Sequence, residues 1–190
     1  YLSAMGRLRE AMAEADLSVE LDPASVSIQR SAGWVHYYAR NPELGLPRLR
    51  RALVMNPESP DNHLLLGILL THAGRLTEAR EALSSALDFA PEDTHTLQSL
   101  AHVAGMEGRR DEAEAMWPRF EELAARRYVS PTDFARLALT LRRFDDAFEW
   151  LDQARDERRG WLVYLRVDPL FDSIRGDPRF AELLRAMRLG

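Results

Sequence analysis

Five histidines and thirty acidic residues are the side chains through which this chain could bind a metal or move a proton. His95 and His102 stand seven residues apart, which puts both imidazoles on one face if the segment is helical. A zinc-type site needs a third and a fourth donor, usually Cys, His or a carboxylate at short spacing. The chain has no cysteine, and no carboxylate stands at ligand spacing from this pair, so no metal is expected. Asp145-Asp146 and Glu121-Glu122 lie beside arginines, as on a solvated helix face. There is no glycine-rich phosphate loop, no nucleophile elbow and no HExxH pair. The expectation is therefore no catalytic residue and no cofactor. His36 and His63 are expected as satisfied, partly buried imidazoles.

Composition narrows the class further. The chain has 190 residues, 46% hydrophobic and 29% charged, with a net charge of −5. This reads as a soluble globular chain of one domain or one short array. No apolar run approaches the roughly 18 residues that a membrane span needs, so no membrane insertion is expected. The start shows no signal-peptide pattern. All 25 basic residues are arginine, which fits a GC-rich genome, and neither half is basic enough for direct nucleic-acid binding.

The elements that position these residues repeat. Pro23, Pro57 and Pro91 stand 34 residues apart. Ala11, Gly45, Ala79, Ala113 and Ala147 keep the same step, as do Gly33, Gly67, Ala101 and Ala135. Gly6, Gly74 and Gly108 fall on it too, with Arg40 and Arg142 at the intervening places. Ser18, Ala52, Ala86 and Ala154 complete the set, broken only by Phe120. Small residues at a fixed step mark places where two helices approach closely. Leu66, Leu100 and Phe134, one place before the small residues, are expected to fill the space around them. The glycine series supplies left-handed turns after each first helix, and the prolines stop each second helix. Ser59-Pro60, Ser130-Pro131, Asp168-Pro169 and Asp177-Pro178 read as N-caps followed by the first helical position, and Ser130 to Asp133 as a capping box. Pro47 is expected to distort its helix and Pro118 to kink its own. Ala125 and Arg159 stand where terminal prolines would, so those two helices are expected to run longer.

The pattern resembles the tetratricopeptide repeat (TPR), with copies at about 1–23 (partial), 24–57, 58–91, 92–127 and 128–159, and a C-terminal cap over 160–190. The resemblance implies a single all-α domain, a right-handed superhelix built as an α-solenoid of helix-turn-helix repeats and closed by a capping helix. Phe180, Leu183, Leu184 and Met187 share one face of that last helix. The other end has no such cap, and the array is expected to continue upstream of Tyr1. The stretches YVSPTDFARLAL, AFEWLDQA and WLVYLRVDPLFDSIRGDPRF resemble the C-terminal end of TPR arrays in bacterial multidomain regulators, where a kinase, cyclase or winged-helix domain precedes the array.

In TPR arrays the first helix of each copy lines a concave groove. Carried over by register, that face is Ser27, Arg30, Trp34, Tyr37 and Tyr38, then Asp61, Leu64, Ile68, Thr71 and His72, then His95, Gln98, His102 and Met106, and last Thr132, Arg136 and Thr140. Aromatic and arginine anchors are common at interface hot spots. The resemblance thus implies a non-catalytic protein-interaction module binding a peptide or partner domain. Arg30 and Arg136 suggest an amphipathic or mildly acidic ligand. The paired lysines and asparagines of the groove that clamps chaperone C-termini are absent. The alternative is a homo-oligomerisation module with no peptide ligand. Trp150, Trp161, Tyr164, Phe171 and Phe180 are expected as core or capping contacts. The cytoplasm is the favoured compartment, with the periplasm open if the parent protein has a membrane segment.

Overall fold

Several of the helices begin where a Ser or Asp side chain takes up a free N–H of the first turn. In the computed structural model, which describes residues 1–189, the regular structure is all helical. Among the described residues there are eleven α-helices and two short 3-10 turns, with no strand. Gly190, the last residue of the expected cap, lies outside the described residues.

The chain divides into two compact units, Tyr1–Ser99 and Leu100–Gly190. The first contains α1 (Leu8–Leu21), α2 (Val26–Tyr38), α3 (Pro42–Met55), α4 (Pro60–His72), α5 (Leu76–Phe89) and the start of α6 (Thr94–Met106). Helix α2 packs on α1, α3 and α4, and α4 packs on α3 and α5. The second unit contains the rest of α6, then α7 (Arg110–Glu114), α8 (Met116–Arg126), α9 (Pro131–Thr140), α10 (Phe144–Asp156), 3-10 turns over Gly160–Tyr164 and Pro169–Ile174, and α11 (Pro178–Ala186). Here α9 packs on α8, α10 and the Pro169–Ile174 turn, and α10 also meets α11.

The caps form as their residue types require. Ser59 accepts from the Asn62 N–H at 3.3 Å, and Ser130 accepts from the Thr132 N–H at 3.4 Å. Asp168 and Asp177 accept from the Leu170 and Arg179 N–H groups at 3.0 and 2.9 Å. At the other helix ends, Gly6, Arg40, Gly74, Gly108 and Arg142 all take φ between +59° and +76°. The Asn41, Arg75, Arg109 and Arg143 N–H groups then reach back five residues to His36, Leu70, Ala104 and Ala138. This is the Schellman closure. In this series arginine twice takes up a backbone conformation that suits glycine, and Arg158 and Arg188 do so elsewhere.

Small residues sit at the helix crossings. A Cβ on Gly67 would stand 2.5 Å from Leu83 Cγ and 3.2 Å from the Ala79 carbonyl. A Cβ on Gly33 would overlap Leu49. Three expectations need correction. Leu100 and Phe134 are buried, but Leu66 is only half-buried, and Leu65 takes the core place on α4. Helix α4 is apolar nearly all round, so its sequence does not reveal which leucine faces inward. Helix α3 runs unbroken through Pro47. Glu43 and Pro47 are both exposed, so the carbonyl that loses its N–H partner lies on the solvent side. Pro118 does interrupt its helix: with no N–H to give the Glu114 carbonyl, the chain breaks at Ala115 between α7 and α8. Finally, α8 runs on to Arg126 as expected, but α10 stops at Asp156 because Arg158 turns left-handed at φ 54°.

In the second unit the tail residues Leu162, Leu165, Phe171, Ile174, Phe180 and Leu183 share one core with Ala135, Phe148 and Leu151. Leu184 and Met187 pack against its edge.

Replacing Gly67 by Leu is expected to cost about 1–3 kcal/mol in a urea titration, because the added side chain must displace Leu83. Unchanged stability would mean that α4 and α5 do not cross at this point.

Candidate functional site

Helix α2 presents Trp34, Tyr37 and Tyr38 within five residues, so all three rings lie near its C-terminal end. Their ring centroids are mutually close. Trp34 is 5.5 Å from Tyr37, edge-on, and 5.8 Å from Tyr38, nearly parallel, while Tyr37 and Tyr38 are 5.2 Å apart. Two imidazoles join them from other helices of the same unit. His72, at the end of α4, lies 5.0 Å from Tyr37, edge-on. His95, at the start of α6, lies 6.2 Å from Trp34, nearly parallel. Such pairs stabilise beyond their buried area, so the cluster is a preformed aromatic surface rather than a set of loose side chains.

Exposure separates the members. Tyr37 and Tyr38 are buried at 2% and 6%, Trp34 and His95 are half-buried, and His72 is exposed. Arg30 is half-buried and ion-paired with Asp61 at 3.1 Å. Leu64, Ile68, Thr71 and Gln98 are buried. Thr71 donates its hydroxyl to the Gly67 carbonyl at 2.8 Å. These four belong to the interior of the first unit. His102 and Met106, on the part of α6 that belongs to the second unit, are half-buried and exposed.

The remaining two candidates are core residues. Thr132 is buried and bonds the Ser130 hydroxyl at 2.7 Å. Arg136 is 4% exposed and stands between two tail residues. Its guanidinium lies 4.5 Å from the Trp161 ring centroid, and its Nη2 is 3.7 Å from Oδ2 of the fully buried Asp168. A cation so placed binds the tail to α9 and is not a free anchor for an acidic ligand. Sequence reasoning saw Asp168 as a cap but missed its pairing with Arg136. Thirty-two positions separate the two, and nothing in local spacing signals such a pair.

The other histidines fall in the core or at its edge. His63 Nε2 bonds the Pro57 carbonyl at 2.7 Å and its ring stacks on Phe89 at 5.9 Å, as expected of a satisfied imidazole. His36 departs from expectation. It is 2% exposed, neither ring nitrogen has a hydrogen-bond partner, and the nearest acid, Asp16, is 3.8 Å away. Burial pushes its pKa below the ordinary value of 6.5; Asp16 opposes that shift and Arg48 adds to it. Among the described residues no group of three or more His, Asp or Glu is placed to hold a metal ion. Among the described residues no helix is long and apolar enough to cross a membrane.

Two predictions concern these buried groups. Because the folded pKa of His36 is depressed, stability is at its plateau above about pH 6.5. It is expected to fall as the pH drops from there toward the folded pKa, with a slope of up to about 1.4 kcal/mol per pH unit. Chemical denaturation between pH 5 and 8 checks this: His36→Leu should flatten the loss seen between pH 6.5 and 5, and an unaltered profile would contradict it. Arg136→Met removes the cation beside the buried Asp168 carboxylate and is expected to cost about 3 kcal/mol in the same titration, whereas a role confined to ligand contact would leave stability near wild type.

Residues 30–94 match the family model described as tetratricopeptide repeat. Among solved structures, the chain is similar to MamA residues 41 to the end from Desulfovibrio magneticus RS-1, with 22% identity over 65% of this chain and 68% of that one, and a TM-score of 0.55. It is similar to pilF of Pseudomonas aeruginosa at 19% identity over 97% of this chain and 86% of that one, TM-score 0.54. A tetratricopeptide repeat protein of Parabacteroides merdae gives 15% identity over 96% and 73%, with a TM-score of 0.54. These likenesses establish the TPR-type helical fold. A search of curated proteins found no match.

Proposed function

We propose that this chain is a non-catalytic protein-interaction module. It binds a peptide or partner segment on the aromatic surface of its first unit, and serves as the regulatory or scaffolding part of a larger bacterial signalling or transcription-regulatory protein. The observation that carries the binding reading is the cluster of Trp34, Tyr37, Tyr38, His72 and His95, in which three helices bring five rings together. Tyr37 and Tyr38 hold Trp34 in place, and a half-buried, fixed tryptophan is the kind of anchor that dominates interface energetics. The TPR fold supports the same reading by analogy. Of the other candidates in the first unit, Arg30 stays half-buried beside Asp61 and Leu64, Ile68, Thr71 and Gln98 are buried; His102, Met106, Thr132 and Arg136 belong to the second unit and are not part of this surface.

The ligand chemistry changes with the geometry. Arg30 is paired with Asp61 and Arg136 with Asp168, so neither argues for an acidic ligand. What remains is an aromatic and imidazole surface suited to an apolar or aromatic ligand residue. The alternative, a self-associating chain, draws on Tyr1, Met5, Leu17 and Leu21, all exposed.

Selection from a displayed peptide library followed by titration tests the reading. Selected peptides should carry an aromatic or large aliphatic residue, and Trp34→Ala should weaken them by roughly 30-fold, as loss of a hot spot does. His72→Ala, at an exposed edge position, should weaken them less and leave folding intact. Equal affinity for wild type and Trp34→Ala would contradict the proposal. Light scattering over a concentration series distinguishes the self-association alternative.

A further inference from the structure

Two rings lie nearly parallel to the Trp34 indole, and they differ in what holds them. Tyr38 stands four residues further along α2 and is 6% exposed. Four residues is one helical turn, so this pair is built into α2. His95 comes from the start of α6 and is half-buried, as Trp34 is. Its ring lies 6.2 Å from the indole at an interplanar angle of 21°. Both members of this second stack keep contact with solvent.

A ring seated against an indole shows what the seat accepts. Parallel stacking needs a flat partner, and an aliphatic side chain has no such face. The seat is filled from within the chain by imidazole, the smallest aromatic side chain. A phenyl, phenol or indole ring covers more of the Trp34 face and gains more dispersion contact. The 34-residue step shows the imidazole to be particular to this copy. One step back from His95 stands Asp61, and two steps back stands Ser27. Neither can stack, and Asp61 is paired with Arg30 instead.

The His95 backbone is fixed while its ring has a way out. Asp93 Oδ2 accepts from the Thr96 N–H at 2.8 Å, and the His95 carbonyl accepts from the Ser99 hydroxyl at 2.8 Å. The imidazole can therefore leave Trp34 by a change of side-chain rotamer, with the start of α6 staying in place. Trp34 is held more firmly, since Tyr37 meets it edge-on at 5.5 Å and Tyr38 lies alongside at 5.8 Å. A site that is open only part of the time binds more weakly by that fraction. A seat closed about two-thirds of the time loses roughly threefold in affinity.

We propose that His95 is an internal stand-in for the ligand: its imidazole occupies the place on Trp34 that an aromatic residue of the bound peptide takes, and the peptide displaces it. This rests on the reading of the Trp34 surface as the binding site. His95 then sets specificity, because a ligand residue must stack better than an imidazole to enter. Aliphatic residues fail that test, and the ligand class narrows to peptides with a phenylalanine, tyrosine or tryptophan.

The probes are N-acetyl-tryptophanamide and N-acetyl-leucinamide, titrated into the whole nitrogen-15-labelled chain. The readout is the Trp34 indole N–H signal, identified by its loss in Trp34→Phe. The tryptophanamide should shift this signal and the leucinamide should not. His95→Ala vacates the seat and should tighten tryptophanamide binding at least threefold. His95→Phe fills the seat with a better-stacking ring and should weaken it at least threefold. Opposite effects of the two variants separate a stand-in from a merely structural residue, and circular dichroism checks that each is folded; if one is not, the other carries the test. Equal affinity in wild type and a folded variant would overturn the stand-in, as would weaker binding by His95→Ala or tighter binding by His95→Phe, and in each case Trp34 remains the binding site. A leucinamide that binds as well as the tryptophanamide would overturn the aromatic preference. A Trp34 signal that the tryptophanamide moves in none of the three chains would overturn the stand-in and the site together.

Discussion

Close approach of paired helices at residues without bulk is the constraint on which the rest of this structure depends. Gly67 meets the side chain of Leu83 and Gly33 meets Leu49 at distances that leave no room for a methyl group. Interiors this dense tolerate neither added nor missing volume. The same contact, repeated every 34 residues, fixes which face of each first helix turns inward. It thereby also fixes which face is left for function. On α2 the inward face carries Gly33, and the three aromatic residues that follow it gather at the end of the helix, where His72 and His95 can reach them.

Much of this was legible in the sequence because it is local or periodic. The positions of small residues, the left-handed residues after the first helices and the Ser-Pro and Asp-Pro caps each follow from one residue type at one backbone place. Arg40 and Arg142 were readable for the same reason: they stand on a glycine series and adopt its positive φ. What the sequence concealed is long-range or degenerate. No spacing rule connects Arg136 to Asp168. Helix α4, with leucine or isoleucine at six of its thirteen positions, offers several equivalent inward faces, and the structure chooses Leu65 over Leu66. His36 looked like an ordinary packed histidine, and only its position beneath α1 and α3 shows that both ring nitrogens lack partners.

The candidate site was legible as a face but not as a set of roles. The register placed seventeen residues on one side of the first helices. Packing then divided them. Ser27, Trp34, Asp61, His72, His95, His102, Met106 and Thr140 keep contact with solvent, Arg30 keeps it while paired to Asp61, and the others are buried. This division changes the chemistry of the proposed ligand from mildly acidic to apolar or aromatic.

A partner bound on the aromatic surface would act first on Trp34. The chain has four tryptophans, and Trp34 alone lies in the first unit; Trp117, Trp150 and Trp161 lie in the second. Their indole N–H signals therefore report on the two units separately in a nitrogen-15 NMR titration with a selected peptide. The Trp34 indole signal is expected to shift with peptide concentration while the other three stay in place. A titration that moves the indoles of Trp117, Trp150 or Trp161 and leaves Trp34 unchanged would contradict it.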